Sequence, residues 1–229
     1  MELIEAIDSR KSIRGYQATP VPREVLKRIL EIAARAPSNE NAQPWEFHVL
    51  GGTVLGDLRN AIEQKVAVGA PSNMDFPLDT LVGVHRARQV EVGKSLLQLM
   101  GVPREDKEKR MQWLLRNFRL FDAPNAIIVT IDHLDQSYAN YYFMVSVGML
   151  AQNIALAALE FGLGTCVNIA ALFFPDLVRQ TLVLPESKKL AVGLAIGYPD
   201  WDYPANSLRT TREPIDDITS WHGIDAAGS

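Results

Sequence analysis

One long apolar segment, residues 141–163, constrains the fold more than any other feature of this 229-residue sequence. Its length would suffice to cross a bilayer, but it contains Gln152, Asn153 and Glu160, whose polar groups are costly at membrane depth. We therefore predict a buried helix over about 138–161. A helix that is apolar nearly all round belongs in the centre of a large core or in a subunit interface.

Shorter apolar runs on both sides of this helix predict strands, and helical periodicity fills most of the chain between them. The predicted strands cover residues 46–50, 126–131, 165–169 and 190–198. Helices are predicted over residues 3–9, after the turn at 19–22, from residue 52 to about 67, and over about 82–101, 104–118 and 175–182. Strands placed among helices, without a repeat or a long linker, indicate one layered domain of α and β structure over residues 1–229.

Several function classes are disfavoured by composition and by motifs that the sequence lacks. The formal net charge of -4 provides no basic excess for nucleic acid, and no Walker A loop, GxGxxG or GxSxG motif occurs. The four histidines have no metal-ligand spacing, so we predict no metal site. Cys166, the one cysteine, suits a reducing cytoplasm and is predicted to be a packed core thiol; residues 1–11 have no signal-peptide core.

The junction between the second helix and the first strand is dense in prolines and amides. It reads Ala36-Pro37-Ser38-Asn39-Glu40-Asn41-Ala42-Gln43-Pro44-Trp45. Prolines fix the backbone, and the amide side chains offer both donors and acceptors, so we expect this junction to present hydrogen-bonding groups to a ligand.

Two cationic segments and a glycine turn are further candidates. Taken alone, Arg10, Lys11 and Arg14 near the N-terminus are more typical of a solvated surface, and so are Arg209 and Arg212 near the C-terminus. The functional alternative is an anion clamp for phosphate or carboxylate. The turn at 162–164 would let backbone amides approach a flat ligand closely.

The order of these motifs resembles the FMN-dependent nitroreductase family across essentially the whole chain. The resemblance rests on four motifs together: Arg10-x-Ser12-x-Arg14, the junction at 36–45, Gly162-Leu163-Gly164-Thr165, and the Arg-x-x-Arg-x-Pro pattern that begins at Arg209. The segment from about residue 73 to 122 looks like that of the longer-chain subgroup.

This resemblance implies an α+β fold, a three-layer α/β/α sandwich with a central mixed sheet of about four to five strands. It further implies a homodimer with both active sites at the interface, a helical insertion or lid at about 70–120, and a C-terminal arm at about 199–229 exchanged between subunits. The apolar residues Ile215, Ile218 and Trp221 of that arm would then pack on the partner.

The resemblance also implies FMN as cofactor, NADPH or NADH as co-substrate, and a ping-pong reduction of nitroaromatic or quinone-type acceptors. Arg14 would stabilise the negative charge of the reduced flavin, and no side chain is assigned to proton transfer. Members of this family often have an acidic residue near the position of Ile169. This chain has none there, so the resemblance leaves only a backbone contact with the flavin at that position. The residues implied in cofactor binding are Arg10, Lys11, Ser12, Arg14, Pro37, Ser38, Asn39, Asn41, Asn168, Ile169, Ala170, Arg209 and Arg212.

Two alternative functions stay open from the sequence. Reductive dehalogenation of an aromatic would need a lid that grips an amino-acid substrate, and Arg86, Arg88 and Arg104 in the insertion show no such pattern. A flavin-binding protein without turnover is the other alternative. We expect the chain to be cytoplasmic, with a small aromatic acceptor as substrate.

Overall fold

The computed structural model describes residues 1–132 and 137–224. The helices are α1 (Leu3–Ser9), α2 (Arg23–Ala33), α3 (Gly52–Ala67), α4 (Gly83–Leu99), α5 (Lys107–Phe118), α6 (Ser137–Glu160) and α7 (Pro175–Leu182). The strands are β1 (Trp45–Gly51), β2 (Asn125–Asp132), β3 (Gly164–Asn168) and β4 (Lys188–Gly197). The predicted strands and helices are thus present, with boundaries that differ by a few residues.

The four strands form one sheet in the order β1-β2-β4-β3. Each neighbouring pair is antiparallel, and parallel pairing among the described residues is limited to an isolated bridge between Ser12 and Thr165. The sheet is therefore antiparallel where a mixed sheet was expected. The reason is topological: α6 connects β2 to β3, which point the same way, but β4 lies between them and runs in the opposite direction.

Side-chain alternation along the sheet separates two cores and creates the three layers. In β2, Ile127, Val129 and Ile131 pack with α2 and α6 on one face of the sheet. Ala126 and Ile128 pack on the other face with side chains from α3, α5 and α7. Because β2 is buried on both faces, its middle residues 126–129 are all apolar and show no polar alternation. This confirms the predicted α+β fold and its α/β/α layering.

The long helix α6 is buried along one face in the described chain. One helix, Tyr138–Glu160, is long and apolar enough to span a membrane by length and composition. Leu150, Ile154 and Ala158 are fully buried against the core that α2 and the sheet share, so the fold explains this half of its apolar surface. Tyr141 and Val145 remain 65% and 44% exposed.

The insertion and the C-terminal segment lie at the periphery. In α4 only Leu96 is buried, and the exposed Arg88 pairs with Glu213 of the C-terminal segment at 2.6 Å. Ile215, Ile218 and Trp221 are each 65% exposed. Their packing on a partner subunit stays a prediction, and residues 225–229 of the proposed arm lie outside the described residues.

A buried ion pair anchors the start of the insertion to the sheet. The Asp75 carboxylate pairs with the Arg179 guanidinium, and the exposed fractions of the two side chains are 6% and 10%. Asp75 Oδ2 also accepts a hydrogen bond from the Leu190 amide at 2.9 Å, and Arg179 Nε donates to the Lys188 carbonyl at 3.2 Å. Both charges are therefore hydrogen-bonded beyond the pair itself, as buried charges require.

We expect Asp75→Ala to lower the free energy of unfolding by about 3–5 kcal/mol, because it leaves the Arg179 charge buried without its main partner. Urea denaturation followed by circular dichroism measures the change. Asp176→Ala is the matched control: its carboxylate also contacts Arg179, at 3.4 Å, but is 74% exposed, so we expect a loss below about 1 kcal/mol. Equal losses in the two variants would contradict a specific role for the buried pair.

Candidate functional site

The N-terminal cationic loop is fixed to the edge of the sheet by Ile13. This side chain is 2% exposed, and its amide donates to the Thr165 carbonyl at 2.9 Å. Gly164 permits the approach, because a Cβ there would lie 2.4 Å from Ile13 Cγ1. Since successive side chains of an extended segment point to opposite sides, burying Ile13 turns Ser12 and Arg14 outward, away from the core.

The buried Asn206 ties this loop to the C-terminal segment. Its Oδ1 accepts hydrogen bonds from the amides of Arg14 and Gly15 at 2.7 and 3.2 Å. Its Nδ2 donates to the carbonyls of Gly15 and Asp200 at 2.8 and 2.7 Å. The Lys11 ammonium also donates to the Asn206 backbone carbonyl. The sequence analysis missed this residue, because a single asparagine in a polar segment carries no local signal of burial.

The two cationic segments meet in one cavity of about 500 Å³, which we call the cationic cavity. It is lined by residues that include Arg10, Lys11, Ser12, Arg14, Arg209 and Arg212. The structure therefore brings together residues separated by about two hundred positions that the sequence analysis had grouped as one anion clamp.

Positive charge dominates the cationic cavity, because five cationic side chains line it and Asp8 is the one carboxylate among its described lining residues. The pKa of Lys11 is lowered, first by burial of its ammonium group and then by the charge of Arg209. Arg209 Nη1 donates to the carbonyls of Asp8 and Ser9 at the end of α1, at 3.3 and 3.1 Å. These neutral carbonyls orient the guanidinium without cancelling its charge. A cavity of this kind is suited to bind a phosphate group.

Arg14 also lines a second cavity of about 540 Å³, which we call the aromatic cavity. Its walls come from α4, α5 and β3 and include Trp113, Asn117, Phe121, Cys166 and Val167. The Arg14 guanidinium carbon lies 5.9 Å from the centre of the Phe121 ring. One arginine therefore borders both cavities, so that a cationic surface and a largely apolar surface meet at this residue.

Phe121 sits in an unusual left-handed turn. Leu120, Phe121 and Asp122 have φ angles of 55°, 55° and 56°, in a region that side-chain-bearing residues rarely adopt. The turn is held by Asp122, whose carboxylate pairs with Arg119 at 2.7 Å and with Arg116 at 3.2 Å. Such strain persists only where the surroundings enforce it, and it is common at ligand sites.

Cys166 and its neighbours divide between core and cavity. Cys166 is buried in the core as predicted, and burial raises the pKa of its thiol. Asn168 is also buried: its Nδ2 donates to the carbonyl and to Oδ1 of Asn117 at 2.9 and 3.0 Å, and its Oδ1 accepts from the Ala171 amide. The Asn168 side chain thus supports α5, and its predicted contact with the cofactor stays a prediction. Ile169 is 38% exposed and Ala170 is buried.

The 36–45 junction lies apart from both cavities in the described chain. Pro37, Ser38, Asn39 and Asn41 are at least partly exposed, and the Ser38 hydroxyl accepts a hydrogen bond from the Gln43 amide at 3.0 Å. Asn41 has a φ of 58°. The junction is thus ordered by its own hydrogen bonds, and its predicted contact with the flavin of another subunit stays a prediction.

The chain matches the family model described as "Nitroreductase family" over residues 7–198. A 4-nitrobenzoate reductase of Pseudomonas putida is 31% identical over 223 residues, covering 96% of this chain and 95% of that protein. The FMN and NADPH-dependent nitroreductase NfnB from Sphigopyxis sp. strain HMH superposes with a TM-score of 0.89 at 30% identity, covering 98% of this chain and 100% of that one. NfnB from Mycobacterium smegmatis, solved in complex with NADPH, gives a TM-score of 0.88 at 26% identity, covering 96% and 97%.

We expect Asn206→Ala to release the cationic loop, because two backbone amides lose their acceptor. The free energy of unfolding should fall by about 1–3 kcal/mol. Hydrogen exchange should accelerate more at the Arg14 and Gly15 amides than at the amides of the central strand β2. Ser207→Ala is the control, because its exposed hydroxyl donates to the Pro204 carbonyl and does not touch the loop. Unchanged protection at both amides in Asn206→Ala would show that the side chain does not hold the loop.

Proposed function

This chain belongs to the nitroreductase family, and we propose that it is an NAD(P)H-dependent FMN oxidoreductase that reduces nitroaromatic or quinone-type acceptors. The observation that carries the proposal is the position of Arg14 between the cationic and aromatic cavities. Both NfnB structures come from enzymes described as FMN-dependent, and one of them contains NADPH.

The residues present fit FMN by their chemistry. Its phosphate matches the cationic cavity, where the lowered pKa of Lys11 reflects burial and a neighbouring positive charge. We assign the phosphate and the adjoining ribityl chain to Arg10, Lys11, Ser12, Arg209 and Arg212. The planar ring matches the aromatic cavity, and Arg14 at the junction would face its pyrimidine edge.

Bound FMN supplies the transfer of hydride between a nicotinamide donor and the acceptor. The contribution of the chain is to orient the ring and to balance its charge. With FMN bound, the positive charge of Arg14 would stabilise the negative charge of the reduced ring, and the Arg14 backbone is fixed by Asn206. A preorganised cation in a partly water-excluded site stabilises such charge without moving.

Proton supply is assigned to solvent. Among the described residues, the aromatic cavity is lined by no aspartate, glutamate or histidine. Burial raises the pKa of Cys166 and holds that of Tyr16 well above its usual value, which makes each of them a poorer proton donor. We therefore assign positioning and electrostatics to the described side chains of this cavity, and proton transfer to water.

We further propose that the protein works as a cytoplasmic homodimer with both sites at the interface. Three features support a partner: the exposed apolar face of α6, the exposed Ile218 and Trp221 of the C-terminal segment, and the exposed side chains of Asn39 and Asn41 in the junction. Together they leave apolar and hydrogen-bonding groups on the surface where a second chain would cover them.

Reductive dehalogenation of an amino-acid substrate gains no support from the insertion. Arg88 is paired with Glu213, and Arg86 Nη1 donates to Gln89 Oε1 at 2.5 Å on the exposed surface of α4. The backbone carbonyl of Arg104 accepts a hydrogen bond from Arg110 Nη1 at 3.0 Å. None of these three arginines lines the aromatic cavity.

Anaerobic stopped-flow mixing of the FMN-loaded protein with NADPH or NADH tests the function directly. We expect the flavin absorbance to bleach with at least one donor and to return on addition of a nitroarene or a quinone. A protein that binds FMN but bleaches with neither donor would be a flavin-binding protein without turnover.

We expect Arg209→Ala to raise the FMN dissociation constant by about tenfold, the equivalent of one lost charge-assisted hydrogen bond. Equilibrium dialysis measures the affinity, and thermal unfolding of the apoprotein separates it from stability. Lys27→Ala is the control, because Lys27 is exposed on α2 and does not line the cationic cavity. Unchanged FMN affinity in Arg209→Ala would remove Arg209 from the phosphate site.

A further inference from the structure

Helix α5 places two cations at one end of the aromatic cavity. Lys107, Arg110, Met111 and Leu114 line this cavity and are spaced at i, i+3, i+4 and i+7, so they share one face of the helix. Positive charge therefore occupies the first turn of the lining face, and apolar side chains occupy the turns that follow.

These two cations have no carboxylate partner in the part of the chain that the structure describes. The acidic residues beside them are engaged elsewhere. Asp106 caps α5 by accepting from the Lys109 amide at 2.9 Å and pairs with the Lys109 ammonium at 3.5 Å. Glu108 accepts from Gln112 Nε2 at 3.3 Å.

The charge of the whole cavity has one sign. Its charged lining residues are Arg14, Lys107 and Arg110, and within the described ranges no acidic side chain lines it. In the proposed function Arg14 faces the cofactor, which leaves Lys107 and Arg110 for another ligand. Lys107 and Arg110 are exposed to solvent, and a cavity whose lining charges all have one sign attracts an anion and disfavours a cation.

The apolar part of the cavity fits an aromatic ring. Met111 and Leu114 are 51% and 43% exposed although both are large apolar side chains, and the half-buried Trp113 lies beside them. With a rise of about 1.5 Å per residue, Leu114 is about 6 Å along α5 from Arg110. That separation is on the order of the length of one substituted benzene ring.

We propose that Lys107 and Arg110 form an anion subsite that selects acceptors carrying a carboxylate or a similar anionic group on an aromatic ring. This inference rests on the proposed function, because it names the acceptor class of the same site. The ring lies against Met111, Leu114 and Trp113, and the carboxylate lies between the ammonium and the guanidinium. Lys107 and Arg110 are thus specificity-determining residues.

Binding of benzoate and benzamide to the oxidised FMN-loaded protein tests the subsite without turnover. The two probes differ in charge and share a ring, and the visible absorbance of the bound flavin reports their binding. We expect benzoate to bind about tenfold more tightly than benzamide, the effect of one charge-assisted contact. Equal affinities for the two probes would overturn the proposal.

The variant Lys107→Gln/Arg110→Gln should raise the benzoate dissociation constant about tenfold and leave that of benzamide within about twofold. Lys109→Gln is the matched control, because Lys109 lies on the same helix but pairs with Asp106 and does not line the cavity. If the double variant instead raised the KM for NADPH and left benzoate binding unchanged, the two cations would serve the phosphates of the donor and the proposal would be wrong.

Steady-state rates separate this inference from the proposed function. With 4-nitrobenzoate and 4-nitrobenzamide as acceptors, the double variant should raise KM for the acid alone and leave kcat unchanged, the signature of lost ground-state binding. Selective benzoate binding without reduction of either nitroarene would refute the proposed function and leave the anion subsite standing. Reduction of both acceptors with equal KM would refute the anion subsite and leave the proposed function standing.

Discussion

The candidate site depends on one fully satisfied buried amide. The side chain of Asn206 uses both its donors and both lone pairs of its oxygen, in hydrogen bonds to Arg14, Gly15 and Asp200. Because nothing on this amide is left unpaired, its burial costs little, and it joins the N-terminal loop to a segment almost two hundred residues later. This link helps to bring the two basic segments together around the cationic cavity.

Rigidity elsewhere in the site comes from strained turns held by charge. The left-handed turn at 120–122 presents Phe121 to Arg14, and the ion pairs of Asp122 with Arg116 and Arg119 hold it in place. Arg116 also connects this turn to the C-terminal segment, because its guanidinium lies 4.8 Å from the centre of the Tyr203 ring. Tyr203 in turn lies against Gly15, where any Cβ would clash with its ring. Loop, insertion and C-terminal segment are thereby coupled through contacts between neighbouring side chains.

Local patterns were enough to predict the elements of the fold. The apolar run of α6 and the β-branched run of β2 each indicate one structure, because a run of 24 residues is too long for a typical strand and a short β-branched run is typical of a buried strand. Pairing direction was not predictable in the same way. The antiparallel sheet follows from the insertion of β4 between β2 and β3, a choice made by long-range packing that leaves no mark on any single strand.

The sequence by itself determined the layered fold, the two basic segments and the resemblance that pointed to a flavin. It did so because periodicity, charge and motif order are properties of the chain read in one dimension. Only the tertiary structure decided that Asn206 is the buried link, that Asn168 supports α5, and that Arg14 borders two cavities. Those roles depend on which distant atoms meet, and burial of a polar side chain is set by its neighbours in space.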